Sequence, residues 1–153
     1  MLRPTPTQLT CALLFALTVV SHVAIARSPA QATEPPLDRL EGIWEGKYIC
    51  YQGPTAVSVT LGRLDATGTT QGTFTFGSFP GATNARAGKY ALAVSFDGGA
   101  NRLVAVPAGW IEQPENYVQV GFTATLDVSG QIINGRVDHE TCSSIELHRR
   151  AVS

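Results

Sequence analysis

The chain of 153 residues is 44% hydrophobic and 15% charged, and its 12 acidic residues nearly balance 11 Lys and Arg, for a formal net charge of −1. No basic run stands out, which argues against nucleic acid or an anionic membrane surface as the main partner, since both need a clustered basic face.

Met1-Leu2-Arg3 is a short basic start, Leu9 to Val20 is apolar apart from Thr10 and Thr18, and Ala24-Ile25-Ala26 is a small-x-small cleavage site. Residues 1–26 therefore read as a signal peptide, and the mature chain as periplasmic or secreted. A membrane anchor is the rival reading, but the stretch is short and broken by His22 for a span of roughly 20 apolar residues. No stable membrane span is expected after processing. A lipoprotein is disfavoured, because Gln8-Leu9-Thr10 is a poor lipobox and Cys11 lies too early. Residues 27–39 hold Pro29, Pro35 and Pro36 and read as a flexible leader, with one helical turn expected from Asp38 to Glu41. Residues 40–150 then form a single domain.

From Leu40 onward the pattern has period two. The first strand runs to Cys50, with Trp44, Gly46 and Tyr48 on one face. Gln52-Gly53-Pro54 is a turn, and Thr55 to Leu64 alternates with Val57, Val59 and Leu61 inward. Asp65 to Gly68 turns the chain into a third strand, Thr70 to Phe76. Gly77 to Gly88 is a long irregular loop rich in small residues, and such loops are often functional. Lys89 to Phe96 and Arg102 to Val106 are the next strands, joined by Asp97 to Asn101. Pro107 to Asn116 carries two prolines and a glycine, which exclude a central strand. Tyr117 to Asp127 reads as the longest strand, with Val118, Val120, Phe122, Ala124 and Leu126 inward. Gln131 to Val137 and Cys142 to Arg149 complete the set.

Eight short strands with tight turns and no helical period predict an all-β, eight-stranded antiparallel up-and-down barrel or a sandwich. Cys50 and Cys142 remain after processing, and an even count in an exported chain reads as one disulfide. Two metal ligands are the alternative, disfavoured by the absence of a CxxC pair. Opposed residues of an antiparallel pair share a constant index sum. Trp44 with Arg149, Gly46 with Leu147 and Tyr48 with Ile145 share one sum, and Cys50 with Cys142 falls one short, which a bulge would absorb. The first strand is thus expected to pair with the last, closing a barrel and removing both edges.

Gly42-Ile43-Trp44 on the first strand with Arg149 on the last resembles the calycin pattern of lipocalins, fatty-acid-binding proteins and avidins. The resemblance implies a structural plug, in which Trp44 closes one end and Arg149 packs over it. A ligand site would then lie at the Cys50 end. The Trp-rich biotin contacts of avidins are not evident, since Trp110 is the only other Trp. Trp44-x-Gly46-x-Tyr48-x-Cys50-x-Gln52-Gly53, with Trp110-Ile111-x-Gln113-Pro114 and the late Cys142, is similar to small exported bacterial domains of unassigned function. That likeness implies compartment and fold, not mechanism.

Catalytic groups are sparse. Asp138-His139-Glu140 reads as a solvated turn whose side chains diverge, and Glu146 with His148 reads as a surface pair. Glu112 and Glu115 could be a glycosidase pair, but exposed carboxylates are the simpler reading. Gly-x-Ser-x-Gly, His-Glu-x-x-His and phosphate-loop motifs do not occur. No catalytic residue, metal or cofactor is expected. The expected function is non-catalytic binding of a small molecule in the barrel mouth, or of a glycan or exported protein at the loops. Candidate ligand contacts are Tyr51, Gln52, Trp110, Gln113, Asn116 and Tyr117, with a lid that caps the core as the competing role for Trp110. The runner-up function is an inhibitor of an exported enzyme, such as a lysozyme or protease, acting through Gly77 to Gly88. A glycan-active enzyme ranks last.

Overall fold

A computed structural model describes residues 37–82 and 84–151. The signal peptide and the leader as far as residue 36 lie outside the described residues. A short 3-10 turn over Leu37–Leu40 leads into eight strands. They are β1 (Gly42–Cys50), β2 (Gly53–Leu61), β3 (Thr69–Gly77), β4 (Gly88–Asp97), β5 (Arg102–Glu112), β6 (Phe122–Leu126), β7 (Ile132–Val137) and β8 (Cys142–Arg149). Each strand pairs antiparallel with the next and β8 returns to β1, so the sheet is a closed barrel.

The closing seam has the expected register. Trp44 faces Arg149, Gly46 faces Leu147 and Tyr48 faces Ile145. The register then shifts between Tyr48 and Cys50, which brings Cys50 opposite Cys142. These two form a disulfide across 92 residues of sequence. Gly46 is a steric requirement of the seam: a Cβ there would collide with the carbonyl oxygen of Glu146. Any side chain would force β1 and β8 apart.

Alternation fills the interior. Val57, Val59, Leu61, Phe74, Phe76, Leu92, Val94, Ile145 and Leu147 are all buried. At the centre Phe74 stacks on Tyr90 at 4.8 Å between ring centroids and meets Tyr48 edge-on at 5.5 Å. The middle of the barrel is therefore solid, as in small barrels whose side chains meet across the axis.

Three expectations need correction. Gly53 and Pro54 belong to β2, not to a turn; proline is tolerated at a strand's start. β5 does not stop at Val106 but continues through Pro107 and Gly109 to Glu112. Its pairing with β6 ends at Ala105, so Pro107 lies beyond the last rung on that side. On the other side the β4 register shifts around Ala91 and Leu92, and Gly109 takes a φ of 125°. A strand bulged and unpaired on one flank accommodates both residues. Conversely, the strand expected from Tyr117 begins only at Phe122. Val120 is buried as expected, but Val118 is 63% exposed. The backbone before Phe122 finds partners outside the ladder: the Tyr90 hydroxyl takes both polar groups of Val120, and the carbonyl of Gly121 accepts from the N–H of Asp138.

Candidate functional site

One end of the barrel is sealed. Trp44 is fully buried and donates from Nε1 to the Leu40 carbonyl at 2.9 Å. The Arg149 guanidinium lies 4.3 Å from the Trp44 ring centroid, in cation–π range. It also donates to the carbonyls of Glu41 at 2.8 Å and Gly130 at 3.2 Å. Partial burial lowers its pKa, but a guanidinium stays charged in proteins. The plug suggested by the resemblance is thus present as geometry. Around it the turns close on aspartates. Asp65 accepts from the N–H and hydroxyl groups of Thr67 and Thr69. Asp127 accepts from Ser129, Gln131 and Ile132. Hydrogen bonds to the ionised form hold both carboxyls well below the usual range.

A hollow of about 570 Å³ lies between the turns at this end, around Thr67, Asp97 and Gly99. Its volume is ample, yet most of its lining is exposed turn with Phe96 as the one buried large side chain. Volume without enclosing walls makes a poor binding site.

The opposite end holds a cavity of about 220 Å³. Its buried walls are Tyr48, Cys50, Phe76, Tyr90 and Val120. Its outer walls are Tyr51, Gln52, Asn116, Tyr117, Val118, His139, Thr141 and Cys142. The chain has four tyrosines, and all of them are here. They arrive from three elements: Tyr48 and Tyr51 from β1 and its turn, Tyr90 from β4, and Tyr117 from the segment before β6. Tyr117 stacks on Phe76 at 5.4 Å, and its hydroxyl accepts from the N–H of Arg86 at 3.0 Å. That bond ties the loop 78–87 to the cavity wall, and an exposed Arg86–Glu115 pair at 3.6 Å spans the same two segments.

Burial pushes the Tyr48 phenol up to about 12, with the Thr55 side chain pulling the other way and Tyr117 adding to the rise. Burial drives Tyr90 further in the same direction, partly offset by its bond to Val120. Both phenols therefore remain neutral at physiological pH.

Of the residues expected to contact a ligand, Tyr51, Gln52, Asn116 and Tyr117 line this cavity, while Trp110 and Gln113 do not. Trp110 is half-buried, lying edge-on to Tyr90 at 5.3 Å and 6.3 Å from Phe76. It packs against the core rings behind the cavity wall. Gln113 is exposed just past β5. Asp138-His139-Glu140 forms the expected turn, with Asp138 and Glu140 exposed, and His139 also reaches the cavity wall, its Nδ1 2.9 Å from the Thr141 hydroxyl. Nothing in the sequence around it signals that position. By contrast, strand parity already aims Tyr48, Phe76, Tyr90 and Val120 inward. His148 and Glu146 form the expected surface pair at 3.2 Å.

In comparisons with known proteins, the chain matches no family model, no curated protein and no solved structure.

Proposed function

We propose that this chain is an exported, non-catalytic binding protein of calycin-like build that holds a small ligand in the cavity at the Cys50 end. The observation that carries the reading is the convergence of all four tyrosines on that one cavity, opposite a plugged end. Aromatic side chains supply large contact area at low entropic cost, and a few convergent polar groups fix orientation. The Cys50–Cys142 disulfide fits an oxidising compartment. Among the described residues no helix is long and apolar enough to cross a membrane.

Native mass spectrometry of the protein purified from its own host tests this. A co-purifying small molecule is expected, and Val120→Trp, which fills the cavity, should remove it. If the wild type, like Val120→Trp, showed only the mass of its own polypeptide, that would count against a ligand carrier.

A second reading is inhibition of an exported enzyme through residues 78–87. It is favoured by the exposure of Ser78, Pro80, Gly81, Ala82, Asn84 and Arg86 on a loop anchored through Tyr117. Deleting 79–85 should then abolish capture of one extracellular enzyme while leaving the melting temperature within a few degrees.

A further inference from the structure

We infer that the ligand is a single neutral ring bearing one uncharged hydrogen-bonding substituent, of the phenol or indole kind. This rests on the cavity reading above and adds the ligand's chemistry.

Size sets the first limit. An apolar cavity of about 150 Å³ accommodates benzene. The present cavity, at about 220 Å³, admits one ring with a substituent or two small fused rings. It excludes a long acyl chain, which needs more of the 300–1,000 Å³ range found for larger ligands, roughly speaking.

The distribution of polarity sets the second. The buried walls offer two hydroxyls, and the deeper, that of Tyr90, is engaged with backbone. Tyr90 donates to the Val120 carbonyl at 2.8 Å and lies 3.4 Å from the Val120 N–H. The Tyr48 hydroxyl faces the Thr55 side chain, which itself accepts from Gln52 and donates to the Gly53 carbonyl. The deep end is thus ring faces, Val120 and the disulfide, with the Tyr48 hydroxyl as a single polar group able to meet one ligand substituent. A sugar placed there would bury hydroxyls without partners, a cost the aromatic faces do not repay. The outer walls differ. Gln52 uses its Nε2 to donate to Thr55 at 3.2 Å, which leaves its carbonyl oxygen to accept from a ligand O–H or N–H. Asn116, exposed at the mouth, adds a second carboxamide. The polar end of the ligand therefore points outward.

Charge sets the third. Among the described residues that line the cavity there is no Lys, Arg, Asp or Glu. An ammonium group would lose hydration there without gaining a counter-ion, and a carboxylate would meet only the imidazole of His139, which already bonds Thr141 through Nδ1.

Isothermal titration with p-cresol, indole, benzoate and glucose tests the inference on the intact mature protein. The expected result is saturable binding of p-cresol and indole, with benzoate and glucose weaker by roughly tenfold or more. Val120→Trp should weaken p-cresol by a similar factor. In the wild type, p-cresol should shift NMR signals of Tyr48, Phe76 and Val120, which locates the site even if Val120→Trp does not fold. Preferred binding of glucose or benzoate with those same shifts would overturn the ligand class and leave the site standing. Shifts confined to other residues would overturn both. If none of the four binds, the ligand class is wrong, and the co-purified mass decides whether the site is.

Discussion

At the Trp44 end, the three hairpin turns are each held by an aspartate, Asp65, Asp97 or Asp127, whose carboxylate accepts backbone N–H groups within a few residues. At the Cys50 end, two connections run long and irregular, over 78–87 and 113–121, and are held by distant side chains, Tyr90 and Tyr117. The first arrangement satisfies its polar groups locally and leaves Trp44 to close the barrel. The second borrows hydroxyls from the interior and leaves a cavity behind. Short self-contained turns suit a structural end. Segments clamped by a few bonds suit the binding end proposed above.

If the Trp44 end is the structural one, damage there should be the most costly. Trp44→Ala removes a fully buried indole, its bond to Leu40 and the partner of Arg149. A loss of about 3–5 kcal/mol is expected in urea unfolding. A loss below about 1 kcal/mol would mean the plug contributes little and would dissolve the contrast between the ends. Next in size is the covalent tie at the other end. Replacing Cys50 and Cys142 together by Ser should cost about 2–4 kcal/mol under oxidising conditions. Unchanged stability and unchanged non-reducing mobility would show that the bond does not form.

Tyr90→Phe should be milder but more informative. It keeps the ring that stacks on Phe74 and deletes the hydroxyl that serves Val120. About 1–2 kcal/mol should be lost, because a buried backbone carbonyl is left without its partner. Hydrogen exchange should quicken in 117–121 while the amides of β1 and β8 keep their protection. Uniform quickening across the barrel would deny the Cys50 end any independence.

Most of the barrel was legible because one rule governs it. Strand parity placed the core residues inward, and constant index sums found the β1–β8 register together with its shift at Cys50. The rule failed where backbone groups leave the ladder. Val118 continues an alternating pattern that the chain does not obey, since the Tyr90 hydroxyl intercepts the Val120 backbone first. Pro107 looked like a strand terminator, but termination depends on whether a neighbour waits on that flank, and none pairs there past Ala105. The same limit governed the site. Tyr48 and Tyr90 were visible as inward tyrosines. That they meet Tyr51 and Tyr117 in one cavity depends on loop paths that periodicity does not encode, and the position of His139 depends on them too.

The smallest expected effect concerns acid. Asp65 and Asp127 both have carboxyl pKa values lowered by hydrogen bonds from their own turns. A lowered folded-state pKa means that the unfolded chain binds the proton more readily. The stability these groups contribute is therefore complete above the unfolded carboxylate value, about pH 4, and fades as pH falls below it toward the folded values. Both side chains face solvent, so the contribution is screened and modest. The acid limb of wild-type stability between about pH 4 and pH 2 should be steeper than that of the doubly substituted Asp65→Asn, Asp127→Asn protein. The variant should lose some stability at pH 7 and converge on the wild type in acid. Parallel limbs would assign the acid sensitivity elsewhere. Because these carboxylates organise only the plugged end, ligand binding measured at pH 7 should be the same in both proteins. A binding loss in the variant would mean that the two ends communicate through the packed centre around Phe74.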